Sequence, residues 1–132
     1  MTSIETKLNR LQSVIRYSLA FVWLYTAVIS VLFSHTQGFP LLKKVGVTLA
    51  WQPVLLYGGA ALDACLGILI LSCWQIRLIG FVQVFLILVY TVIASVLIPD
   101  FWVHPLAPLA KNVPIMAIVW GSIVLNKVKH DL

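Results

Sequence analysis

The sequence predicts an all-α integral membrane protein: an up-down four-helix bundle with cytoplasmic N- and C-termini and a short amphipathic N-terminal segment. Three observations carry that expectation. Of the 132 residues, 61% are hydrophobic and 10% charged, and the mean hydropathy is +1.03, far from the balance of a soluble domain of this length. The apolar residues gather in four runs, each near the roughly 20 helical residues that cross about 30 Å of hydrocarbon. Barrel strands would give short alternating segments instead. Finally, most Lys and Arg residues fall on one side of those runs, which sets the orientation.

Residues 1–16 read as an interfacial lead-in. Ile4, Leu8, Leu11 and Ile15 recur at spacings of three and four, and Thr2 with Glu5 has the form of a capping box. The first transmembrane helix is expected at about 17–33, the second at 53–73, the third at 78–98 and the fourth at 106–126, with 127–132 as a cytoplasmic tail of a single membrane domain. A cleaved signal peptide competes for the first run, but "FSHTQ" after it offers no small-x-small cleavage site. With the N-terminus inside, the inner loops hold Lys7, Arg10, Arg16, Arg77, Lys127 and Lys129, and the outer loops only Lys43 and Lys44. The long connection from Ser34 to Gln52 then faces outward. "WQIR", the short link between the second and third runs, makes those two antiparallel neighbours. The expected location is the cell (inner, cytoplasmic) membrane, spanned several times.

Composition excludes several chemistries. The net charge of +5 is not gathered into a basic run interleaved with aromatics, so no nucleic-acid partner is expected. Cys65 and Cys73 stand about 12 Å apart along one predicted helix, too far for a disulfide, and read as small packing residues. No CxxC or Cys/His cluster suggests a metal site. His35 and His104 lie at helix ends on the outer side, as acid/base groups, ligands or plain interfacial hydrogen-bonding residues. Haem ligands usually come from facing helix interiors, so haem is not expected. His130, in the tail, is assigned no role. Trp51, Trp102, Phe101 and Phe39 form an expected outer aromatic belt, with Trp74 and Trp120 on the inner half.

The polar residues inside the runs carry the functional expectation. Asp63 lies about ten residues into the second run, roughly 15 Å along the axis and near the bilayer midplane, where an Asp costs about 2.5–3.5 kcal/mol to insert. It must be neutralised, paired or hydrated. Gly59 and Gly67 flank it one turn either way, which keeps its stripe small enough for another helix to approach. Lys111 is the expected partner: a fourth helix that starts near Leu106 puts its Cα about 7–8 Å deep, with a side chain that reaches farther. A functional pair and a structural salt bridge both remain open. Tyr25, Thr26 and Ser30 on the first run, and Gln83, Tyr90, Thr91 and Ser95 on the third, can face the same space. Taken singly, such Ser, Thr and Tyr residues most often bond their own or a neighbouring helix. Pro114 lacks the amide that would bond the Ala110 carbonyl, so the regular fourth helix is expected to begin near Asn112, with Asn112 as its cap. That late start would make "HPLAPLAKNVP" the rim of a pocket floored by Asp63.

An arginine before "WLYTA", a loop that ends in "KKVGV", "YGGAALDACLGILIL" and "HPLAPLAKNVPIMA" together resemble the DoxX-like family of small four-helix membrane proteins, over roughly residues 16–125. In that family the second helix carries a glycine, an acidic residue (usually Glu) and a glycine; here Asp63 holds the acidic position. The chain departs from the pattern with "SHTQGF", where relatives often carry lysine and acidic residues. The resemblance implies a link to quinone-coupled or other membrane redox chemistry. The expectation is thus an accessory membrane subunit for a redox or quinone/lipophile-linked process, with pocket candidates Asp63, Lys111, Asn112, His104, His35, Tyr25, Gln83 and Tyr90. A quinone or other lipophile is the implied ligand. With no Gly-rich dinucleotide loop and no CxxC, electrons would have to come from a separate soluble redox partner. The alternative is a non-catalytic protein that binds lipid, carries a small solute or stabilises a partner, and a homodimer fits either. The sequence does not decide between enzyme and accessory.

Overall fold

The computed structural model describes residues 2–103 and 109–131. Of these, 86% are helical, and no strand occurs among them. Five α-helices follow in order: α1 (Ser3–Leu32), α2 (Phe39–Lys44), α3 (Gln52–Leu71), α4 (Ile76–Leu97) and α5 (Asn112–Asp131). A π-helical turn at Ser34–Gly38 joins α1 to α2, and a 3-10 turn at Pro99–Trp102 follows α4. Three helices, α1, α3 and α4, are long and apolar enough to span a membrane.

The N-terminal capping box forms as the sequence predicts. The Thr2 amide donates to Glu5 Oε2 at 2.8 Å and the Glu5 amide donates to Thr2 Oγ1 at 3.2 Å, satisfying two of the amides that a helix start leaves unpaired. No break separates the lead-in from the first span. No glycine or proline lies between Ser3 and Leu32, so nothing stops the helix at Arg16 and both stretches become one α1.

Two further expectations on the connections need correction. The segment from Ser34 to Gln52, expected as a long loop, is mostly helical, with only residues 45–51 outside helix between α2 and α3. Pro40 sits in the first turn of α2, where its missing amide costs nothing. The fourth span, expected at 106–126, corresponds to an α5 that begins at Asn112 and runs on to Asp131. Pro114 falls in the first turn of α5, and the Ala110 carbonyl accepts instead from the Val113 amide at 3.3 Å in the preceding turn. No glycine or proline follows Gly121, so the helix continues through Lys127 and Lys129. Those cations, with His130 and Asp131, make its end polar, and α5 is not among the three span-grade helices.

The chain divides into two compact units, one of Ser18–Ser72, the other of the residues up to Tyr17 together with those from Cys73 onward. In the first unit, α1 and α3 run antiparallel: Leu24 meets Gly67, while Ser34, beyond the end of α1, meets Tyr57 near the start of α3. A Cβ on Gly67 would stand 2.5 Å from Leu24 Cγ, so the glycine is what permits this approach. In the second unit, α4 and α5 are also antiparallel, with Gly80 against Ile123, Phe81 edge-on to Trp120 at 6.1 Å, and Thr91 bonded to Asn112. Residues 72–75 link α3 to α4 in a tight turn that puts Cys73 (φ 58°) and Gln75 (φ 46°) in the left-handed region.

Candidate functional site

Asp63 lies in the middle of α3 on a face shared with Ala60, Leu66, Gly67 and Ile70, all buried. It is 7% exposed, and its Oδ1 has no hydrogen-bond partner among the described residues. A buried carboxyl oxygen without a partner is costly, and a native structure that keeps one has a use for it. Of the two glycines expected to line its stripe, Gly67 is packed by Leu24, whereas a Cβ on Gly59 would meet nothing within 4 Å. The stripe thus holds a helix on one side of Asp63 and leaves space on the other.

The same unit contains an apolar cavity that sequence reasoning missed. It measures about 320 Å³ and is lined by Ile29, Phe33, Leu41, Leu42, Leu55 and Leu56, with Ser30, Gln37 and Gly38 as its remaining surface. Pockets for small organic ligands begin near this size and share this apolar character with a few polar groups. Its walls come from the end of α1, the π-helical turn, α2 and the start of α3, so the helical rather than looped course of Ser34–Lys44 creates it. Leu55 and Leu56 lie about two turns before Asp63 on α3. Beside it, the Tyr57 hydroxyl donates a long 3.4 Å hydrogen bond to Ser34 Oγ, Phe39 stands edge-on to Tyr57, and His35 tilts against Phe39 at 5.2 Å.

The other pocket candidates divide by exposure. Gln83 is buried in α4. Asn112 is half-buried, and its side-chain amide donates to Thr91 Oγ1 at 2.9 Å; expected as the cap of the fourth helix, it is instead the first residue within α5. Lys111, His35, Tyr25 and Tyr90 are exposed, Tyr25 stacked on Phe21 at 5.4 Å one turn before it on α1. His104 lies outside the described residues.

The hydroxyls behave largely as membrane hydroxyls do. Thr26, Thr91 and Ser95 each donate to the carbonyl four residues back, at 2.7, 2.6 and 2.6 Å. In α4 they also accept: Thr91 from Asn112, and Ser95 from Trp102 Nε1 at 2.8 Å. The cysteines are not packing residues. Both are exposed, and Cys73 Sγ accepts from Arg16 Nη1 at 2.5 Å.

These features define a class of protein: an all-helical membrane protein that keeps a carboxyl group buried in a span-grade helix, in a unit that also holds an apolar cavity of small-ligand size. The chain belongs to the DoxX-like family, whose model matches residues 20–120. That match takes in Asp63, Lys111 and Asn112. No curated protein and no solved structure matches the chain.

Proposed function

We propose that the protein is a multi-pass protein of the cytoplasmic (inner) membrane, a four-helix bundle with both termini cytoplasmic, that binds a lipophilic molecule with a polar head, of the quinone class. Its role is that of an accessory membrane subunit served by a separate redox partner. The observation that carries this reading is the unpartnered, buried Asp63 carboxyl on a span-grade helix, in the unit that also contains the apolar cavity. A carboxyl group in apolar surroundings accepts a hydrogen bond when ionised and donates one when protonated, which suits the hydroxyl or carbonyl of a lipophile's head. The cavity offers apolar walls for the rest of such a molecule. The charge bias of the loops supports the orientation.

The test is purification in mild detergent with endogenous lipid, followed by mass spectrometry and an absorption spectrum, for the natural chain and for Asp63→Asn. A quinone-class molecule retained by the natural chain and lost from the variant supports the proposal. Bulk phospholipid alone, with no spectral change on adding a short-chain quinone, overturns it in favour of a non-catalytic lipid-binding, solute-carrying or partner-stabilising role.

A further inference from the structure

The first turns of α1 bury an amide where the lead-in should bury an apolar residue. Gln12 is 7% exposed, whereas Ile4, Leu11 and Val14 around it are open. Its Oε1 accepts from Lys129 Nζ of α5 at 2.6 Å, and its Nε2 is sealed from solvent with no acceptor among the described residues. One turn along the same face, Arg16 repeats the situation. Its Nη1 donates to Cys73 Sγ, its guanidinium lies over the Tyr17 ring at 4.9 Å, and its buried Nε has no acceptor. All of these residues belong to one compact unit.

The chemistry left over is entirely that of donors. Gln12 offers an amide N–H, Lys129 an ammonium, and Arg16 the Nε–Nη2 edge of its guanidinium, the fork that matches two oxygens of one anion. Neither cation pairs with a carboxylate among the described residues. Asp131, the nearest acid in sequence to Lys129, is two residues on and so faces elsewhere on α5. Buried N–H groups are rarely left without acceptors, and an anion would satisfy these together with the charge of Arg16 and Lys129.

We propose that Gln12, Arg16 and Lys129 form a binding site for a phosphate-class anion, either the phosphate of a membrane lipid or free phosphate. All three residues lie outside residues 20–120, which the family model matches, and the site does not involve Asp63. The proposed orientation places it at the cytoplasmic surface, where Lys7, Arg10, Arg77 and Lys127 add to the positive field and anionic lipid is concentrated.

The experiment titrates the full chain in a zwitterionic detergent with inorganic phosphate and, separately, with short-chain phosphatidylglycerol at constant ionic strength, reading the thermal unfolding midpoint. At least one anion raises the midpoint of the natural chain. Arg16→Gln and Lys129→Met each weaken the half-saturating concentration tenfold or more. Gln12→Leu raises the midpoint without anion and reduces the further rise with it, a sign pattern that simple loss of packing does not give. A response to phosphatidylglycerol alone assigns a lipid headgroup; a response to phosphate assigns the free anion. No response to either, or an equal response in the natural chain and in Lys129→Met, whose exposed side chain makes it the variant safest to fold, overturns the site.

Discussion

The side-chain amide of Asn112 donates to the Thr91 hydroxyl at 2.9 Å, and that hydroxyl in turn donates to the Ile87 carbonyl at 2.6 Å. The first residue of α5 is thereby tied to the C-terminal half of α4, opposite the contact that Gly80 makes with Ile123 at the other end of the pair. Thr91→Val and Asn112→Leu are each expected to lower stability, and the double variant should lose less than the sum. A double-mutant cycle in detergent should give a coupling of about 0.6 kcal/mol, and no more than about 1.7 kcal/mol. A coupling of zero would mean that the bond contributes nothing to docking α5.

The two glycines around Asp63 should respond in opposite ways. Gly67→Ala puts a methyl group 2.5 Å from Leu24 Cγ and must push α1 and α3 apart, at about 1–3 kcal/mol. Gly59→Ala meets nothing within 4 Å and, with its better helix propensity, should be neutral or stabilising by up to about 1 kcal/mol. Thermal midpoints of the two variants, measured side by side, check the assignment of which side of the stripe holds a helix.

Substitutions at Asp63 are expected to separate the proposed binding from folding. Replacing it by Leu removes a buried carboxyl oxygen that has no partner among the described residues, so the unfolding midpoint should rise while any retained lipophile is lost. Asp63→Asn should leave expression intact and also lose the lipophile. Lys111→Met provides the comparison: equal loss of folded protein for Asp63→Asn and Lys111→Met would point to scaffolding in place of a binding site.

The cavity offers a test of the proposed ligand that leaves Asp63 untouched. Leu42→Trp, on its wall, should occupy much of the roughly 320 Å³ and reduce retained lipophile at least tenfold with little change in the unfolding midpoint. Unchanged retention, measured by mass spectrometry, would remove the cavity from the ligand's path.

What the sequence disclosed follows from how local each signal is. The capping box at Thr2 and Glu5, the α3 and α4 spans and the start of α5 at Asn112 depend on residues within a turn of one another, and all were readable. Asp63 was readable because a charge amid an apolar run has few uses. The course of Ser34–Lys44 was not: "SHTQGFPLLKK" has the glycine and proline of a loop, and only the placement of Pro40 in the first turn of a new helix reconciles it with winding. The cavity behind that segment was hidden with it. The contact of Gln12 with Lys129 joins residues 117 positions apart, and its single local trace is that Gln12 and Arg16 share one face.

The wide turn at Ser34–Gly38 has a geometric consequence of its own. Its amides reach back five residues, as Gly38 does to the Phe33 carbonyl, so each residue there advances less around the axis than the 100° of an α-helix. Over the five residues the helix loses roughly one residue's worth of rotation, and everything beyond is dialled to a different azimuth from the one α1 would have given it. Ordinary α winding through the same five residues would turn Phe39 away from Tyr57 and Leu42 out of the cavity wall, whereas deleting Thr36 would restore that winding and leave both residues near their present azimuths. The turn is a vernier between α1 and α2, and the aim of the cavity is set by how the chain winds through it as much as by the residues that line it.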